Sequence, residues 1–147
     1  METLLLDLDL AREAAARKDR DRLQGTWNFV SGIREAQMLI AGDHFTVKFT
    51  SGDIYLGTFT LDPTSKPRMM DMTISEGPAK HRGKTSLIIY ELDGDHLIWC
   101  PAEPGTGNRL RSFPPEEDTR HLCIIFRREK QRLVSSGSSR ESQTRSF

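Results

Sequence analysis

In the stretch HFTVKFTSGDIYLGTFTLD, residues 44–62, apolar and polar side chains alternate twice around a central Ser51-Gly52. Phe45, Val47 and Phe49 fall on one side of the first run, with His44, Thr46, Lys48 and Thr50 on the other. A repeat of two is the period of a strand with one wet face. After the turn, Tyr55, Gly57, Phe59 and Leu61 share a face until Asp62-Pro63 stops the ladder. The same reading extends outward. RMMDMTIS sets Met70, Met72 and Ile74 against Asp71, Thr73 and Ser75, LIIYEL is apolar on both faces, and Asp93-Gly94 turns the chain into HLIWC. With GTWNFVSG, AQMLI, a weak stretch around NRLRSF and the last strand HLCIIFRR, the spacing predicts about eight strands in a meander. Such a meander disposes of its edges best by closing on itself, so we expect a single antiparallel up-and-down β-barrel. The inward set Phe45, Phe49, Tyr55, Phe59, Met70 and Met72 is bulky, which predicts a filled or narrow interior.

The flanks differ in composition. Residues 1–23 contain no Gly or Pro and are rich in Ala, and Asp9 is a candidate N-cap, so a helix over residues 9–23 is expected. Its stripe Leu6, Leu10, Ala14 is thin, suited to a flank packed on the main domain or, alternatively, to a dimer contact. Residues 24–130 form the barrel domain. From residue 131 to 147 six of seventeen residues are Ser and Arg132, Arg140 and Arg145 leave the segment basic, the composition of a disordered tail.

The 147 residues, about one domain's worth, balance 21 Lys+Arg against 21 Asp+Glu, which argues against a duplex-binding surface. No apolar run approaches the ~18 residues of a membrane span. Asp7 and Asp9 interrupt the leucines near the start where an export signal would be unbroken, so a cytoplasmic protein is expected. Cys100 and Cys123 are too few for a disulfide framework and lack zinc-knuckle spacing; two half-buried thiols are the expectation.

Leu23-Gln24-Gly25-Thr26-Trp27, after a short helix and opening the first strand, resembles the Gly-x-Trp signature of lipocalin-like (calycin) barrels. The blocks GTFTLDPTSKPRMMDMTISEGP, GKTSLIIYELDGDHLIWC and LCIIFRREK are similar to an uncharacterised planctomycete domain family with a lipocalin-like fold. The resemblance covers about residues 20–130. It implies that Gly25 and Trp27 close one barrel end and that a basic residue of the last strand, Arg127 or Arg128, lies across the indole. It implies no reaction.

Motifs for chemistry are sparse. GPAKHRGKT resembles a phosphate loop, but five residues separate Gly77 from Gly83 where four are required, and a strand-like SLIIYEL follows where a helix is needed. As a rim loop, Lys80, Arg82 and Lys84 are candidate contacts for an anion. His44, His81, His96 and His121 sit one per segment, and His96 and Cys100, four apart on a strand, lie ~13 Å apart, too far to share a metal. There is no Gly-x-Ser-x-Gly elbow and neither Cys has a His at catalytic spacing, so no catalytic residue, metal or cofactor is assigned. The expected function is non-enzymatic binding of a small apolar or amphipathic molecule, with Tyr55, Phe59, Met70, Met72 and Trp99 as candidate lining. The alternative is a filled scaffold that meets a protein partner, or a second copy, through the N-terminal helix.

Overall fold

The computed structural model describes residues 2–130 of the chain. A helix, α1 (Glu2–Leu23), is followed by eight strands: β1 (Gly25–Ser31), β2 (Ala36–Ala41), β3 (His44–Phe49), β4 (Ile54–Asp62), β5 (Arg68–Glu76), β6 (Thr85–Asp93), β7 (His96–Pro101) and β8 (Ile124–Arg128). Each strand pairs antiparallel with its sequence neighbour, and β1 pairs with β8, so the sheet closes. The alternation seen in the sequence sets the inside. Phe45, Val47, Phe49, Tyr55, Phe59, Met70, Met72, Ile74, Ile88, Tyr90, Leu97, Trp99 and Phe126 are all buried in one core. In LIIYEL, the inward residues Ile88, Tyr90 and Leu92 are joined in burial by Ile89 on the opposite face, which accounts for its apolar character on both sides.

The helix differs from expectation. It begins at Glu2, so Asp9 lies inside it and is no cap; no Gly or Pro interrupts the leucine-rich residues before Asp9, and leucine is a strong helix former. The face that docks is also different. Leu6 and Leu10 are 59% and 55% exposed and Ala14 is exposed, whereas Asp19 and Leu23 are buried and Ala15 and Ala16 half-buried. Among the helix side chains described, those that pack on the barrel come from the C-terminal turns of α1.

That end of the barrel is shut by a few convergent contacts. Trp27, fully buried, donates its Nε1–H to the carbonyl of Leu23 at 2.8 Å. The Arg128 guanidinium lies over the Trp27 ring, 4.4 Å from its centroid, and donates to the carbonyls of Gln24, at 2.7 Å, and of Arg22. Its Nε meets Asp95 at 3.2 Å. One side chain thus stacks on the indole and satisfies carbonyls that a helix C-terminus leaves without partners. Gln24 exchanges hydrogen bonds with the backbone of Gly42, tying the β2–β3 turn to the same point. Of the two candidates for the cation over the indole, Arg128 fills the role; Arg127 points to the exposed face beside His96.

Three further expectations change. NRLRSF forms no strand; residues 102–123 are a long connection folded back onto β5 and β6 by Arg109, whose Nη1 donates to the carbonyls of Met70 and Ile88 and whose Nη2 reaches Asp71 at 2.7 Å. The last strand starts at Ile124, three residues later than HLCIIFRR suggests. Cys123, just before it, is joined to Cys100 in a disulfide, so the two are not independent thiols. Cys100 lies on β7 and Cys123 directly before β8, its neighbour in the closed sheet, a proximity the 23-residue separation does not reveal. The Ser-rich tail at residues 131–147 lies outside the described residues.

Candidate functional site

Antiparallel order places the β1–β2, β3–β4, β5–β6 and β7–β8 connections together, opposite α1. Between them a cavity of about 500 Å³ reaches into the barrel, within the size range of small-molecule sites. The interior is therefore filled near α1 and hollow at the other end. Phe45, Val47, Phe49, Met72, Ile74 and Trp99 give the hollow an apolar wall. Phe49 and Tyr55 meet edge to face at 5.9 Å, as do Trp99 and Phe126, which fixes the rings in the wall.

Of the candidate lining residues, the structure brings Tyr55, Met72 and Trp99 to the cavity. Phe59 and Met70 are buried but sit in the filled half: the Phe59 amide donates to the Asp43 carbonyl in the β2–β3 turn, and Met70 pairs with Leu61 at the far end of β4. Alternation puts them on the inner face without saying how deep they lie. Lys80, Arg82 and Lys84 are exposed and do not line the cavity; Arg82 bonds the Gly77 carbonyl at 3.3 Å. The cations that do line it are Arg34, Arg109 and Arg120, each beside a carboxylate: Asp53 at 3.5 Å, Asp71 at 2.7 Å and Asp118 at 3.8 Å.

From the same loop the sequence offered as a basic cluster, His81 turns inward. The segment after Pro78 coils tightly, with the amides of His81 and Arg82 both bonded to the Pro78 carbonyl, and Gly83 at φ +81° returns the chain to β6. His81 is consequently buried while its neighbours face water. Its Nδ1 lies 2.8 Å from Tyr55 Oη, and its Nε2 lies 3.0 Å from Glu103 Oε2. All three residues line the cavity. Burial, aided by the nearby Asp53 charge, raises the Tyr55 hydroxyl above the usual phenol range, while the hydrogen bond from His81 holds the Glu103 carboxyl below its usual value. Gly77 gives the Tyr55 ring its place, since a Cβ there would sit 3.1 Å from the ring.

Ser86, also buried on the cavity wall, donates to the Ala102 carbonyl at 2.7 Å. His121 Nδ1 lies 3.0 Å from Asp118, whose carboxyl is lowered by that contact and by the Arg120 amide. Sequence reasoning missed Glu103, Ser86 and the inward turn of His81. The legible signal was the pair of glycines bracketing 78–82, which makes a coil tight enough to turn one side chain against its neighbours.

Tyr–His–carboxylate is the order of nucleophile, base and orienting acid. With the Tyr55 hydroxyl held above its usual range, the phenol keeps its proton, and the three groups form a hydrogen-bonded chain along the cavity wall. Among the described residues no three His, Cys, Asp or Glu side chains converge to hold a metal ion, and no described helix is long and apolar enough to cross a membrane. The geometry defines an eight-stranded antiparallel up-and-down barrel of lipocalin-like form, plugged at one end by α1 and hollow at the other. No protein-family model, curated protein or solved structure matches the chain.

Proposed function

We propose that this protein is a non-enzymatic binding barrel that takes one small apolar or amphipathic molecule into its hollow end. The observation that carries the reading is the cavity of about 500 Å³ walled by Phe45, Val47, Phe49, Met72, Ile74 and Trp99. Apolar burial would supply most of the affinity, and the few polar groups around Tyr55 would orient the ligand. Membership of the planctomycete lipocalin-like family that the sequence resembles belongs to the same proposal, supported by the eight-strand closure and by Arg128 across Trp27. A cytoplasmic setting sits against the Cys100–Cys123 bond, because the cytosol keeps thiols reduced.

Native mass spectrometry of the protein purified gently from its host, with extraction of whatever accompanies it, tests the reading. A stoichiometric small-molecule adduct, lost in Trp99→Leu, is expected. A clean mass together with no uptake of medium-chain alcohols or acids would overturn it. The second reading, a protein-contact module, rests on Leu6, Leu8 and Leu10, all at least half exposed on α1. It predicts a concentration-dependent dimer or a partner complex that is lost on deleting residues 1–10.

A further inference from the structure

The polar groups on the cavity wall have a definite hydrogen-bonding sense. Resting on the binding reading above, we infer that the Tyr55–His81–Glu103 chain and Ser86 present acceptors to the cavity, so that the ligand is an apolar molecule with an O–H or N–H donor at its head rather than a carboxylate. An ionised carboxylate only accepts hydrogen bonds. Glu103, held ionised by its contact with His81, therefore accepts a hydrogen bond from Nε2–H. In a neutral imidazole the other nitrogen is then an acceptor. Tyr55 Oη, 2.8 Å from that Nδ1, donates its only proton to it. The phenol oxygen retains lone-pair capacity and has no proton left to offer.

Ser86 reaches the same condition independently, because its single proton goes to the Ala102 carbonyl. At the rim the rule repeats: Asp118 accepts from His121 Nδ1, leaving Nε2 of a neutral ring as an acceptor. The cations around the cavity keep N–H donors, but each already faces a carboxylate. Arg34, Arg109 and Arg120 each stand beside an aspartate, Lys80, Arg82 and Lys84 face solvent, and Glu103 itself is directed to His81. Trp99 Nε1–H, a donor without a partner, has no accessible surface, so a ligand filling the existing hollow does not meet it.

The test compares three probes of one chain length, 1-decanol, its methyl ether and decanoate, titrated calorimetrically into the full-length protein. The alcohol is expected to bind about three- to tenfold more tightly than the ether, the worth of one hydrogen bond, and more tightly than decanoate. Tyr55→Phe should narrow the alcohol's advantage over the ether. Glu103→Gln is the companion variant: its side chain is 65% exposed, so the fold tolerates the change, and an amide no longer fixes the His81 tautomer. The preference should narrow there too. In the ligand-free protein, ¹⁵N chemical shifts should show His81 as the Nε2–H tautomer. Binding of all three probes with decanoate favoured, or an alcohol preference undiminished in Tyr55→Phe, overturns the inference and leaves the binding barrel standing. If none of the probes binds, the binding barrel falls and the ligand class with it; an Nδ1–H tautomer overturns the wall's polarity whatever binds.

Discussion

Tyr90, from the middle of the barrel wall, donates its hydroxyl to Asp19 of the helix at 2.7 Å, across 71 residues of sequence. Asp19 is 3% exposed and also meets Arg22 at 3.2 Å and Arg68 at 3.1 Å. A buried carboxylate with two cations and a phenol is compensated, and it fixes the angle at which α1 meets the barrel. Burial and the Asp19 hydrogen bond push the Tyr90 pKa far above 10.0. The folded state thus holds the phenol proton more tightly than the unfolded chain does. Stability from this group is complete below pH 10 and falls as pH rises above it. Tyr90→Phe should cost about 1.5–3 kcal/mol at neutral pH and flatten the alkaline limb of a stability-against-pH curve measured by urea titration. An unchanged alkaline limb would show that another group controls it.

The helix plug predicts a sharp contrast between adjacent arginines. Arg128→Lys keeps the charge but loses the planar fork that reaches two carbonyls while stacking on Trp27, and it should cost about 1–3 kcal/mol. Arg127→Ala, on the exposed face, should stay within about 0.5 kcal/mol of the parent. Equal effects in thermal melts would remove Arg128 from its special place.

Met70 and Trp99 separate packing from binding. Met70→Ala, in the filled half, should destabilise by about 2–5 kcal/mol and leave probe affinity unaltered. Trp99→Leu reshapes the hollow and should weaken probe uptake several-fold. The two variants exchanging these phenotypes would place the cavity at the wrong end.

Joining Cys100 to Cys123 closes a loop of 23 residues in the unfolded chain, worth about 3 kcal/mol in the chain-entropy picture. Thiol counting on the unfolded, unreduced protein should find none, and two after reduction. The Cys100→Ser, Cys123→Ser double variant should lose about that stability. It should also bind probes less well, since the tethered segment 102–123 carries Glu103, Arg109 and His121 to the cavity.

Alternation is a local property, and HFTVKF and IYLGTFTL carried the barrel's inner face without further information. The pair Trp27 and Arg128 was legible through resemblance, but choosing Arg128 over Arg127 needed the register of β8 against β1. Contacts made by connections were not legible at all. His81 meets Glu103 across 22 residues and Arg109 meets Asp71 across 38, and each distance depends on how several strands add up around the barrel. The helix start was misplaced for a different reason: Asp9 has the right chemistry for a cap, yet nothing before it breaks a helix.

The seam between β1 and β8 has a kinetic consequence. It joins residues such as Asn28 and Glu129, 101 positions apart, whose side chains meet at 3.1 Å. Pairing that remote pays its loop-closure entropy late, so the seam should zip last, and only after β8 has left the ribosome. A nascent chain stalled before Ile124 would hold a seven-stranded sheet with both outer strands unpaired, the aggregation-sensitive interval in the life of this molecule.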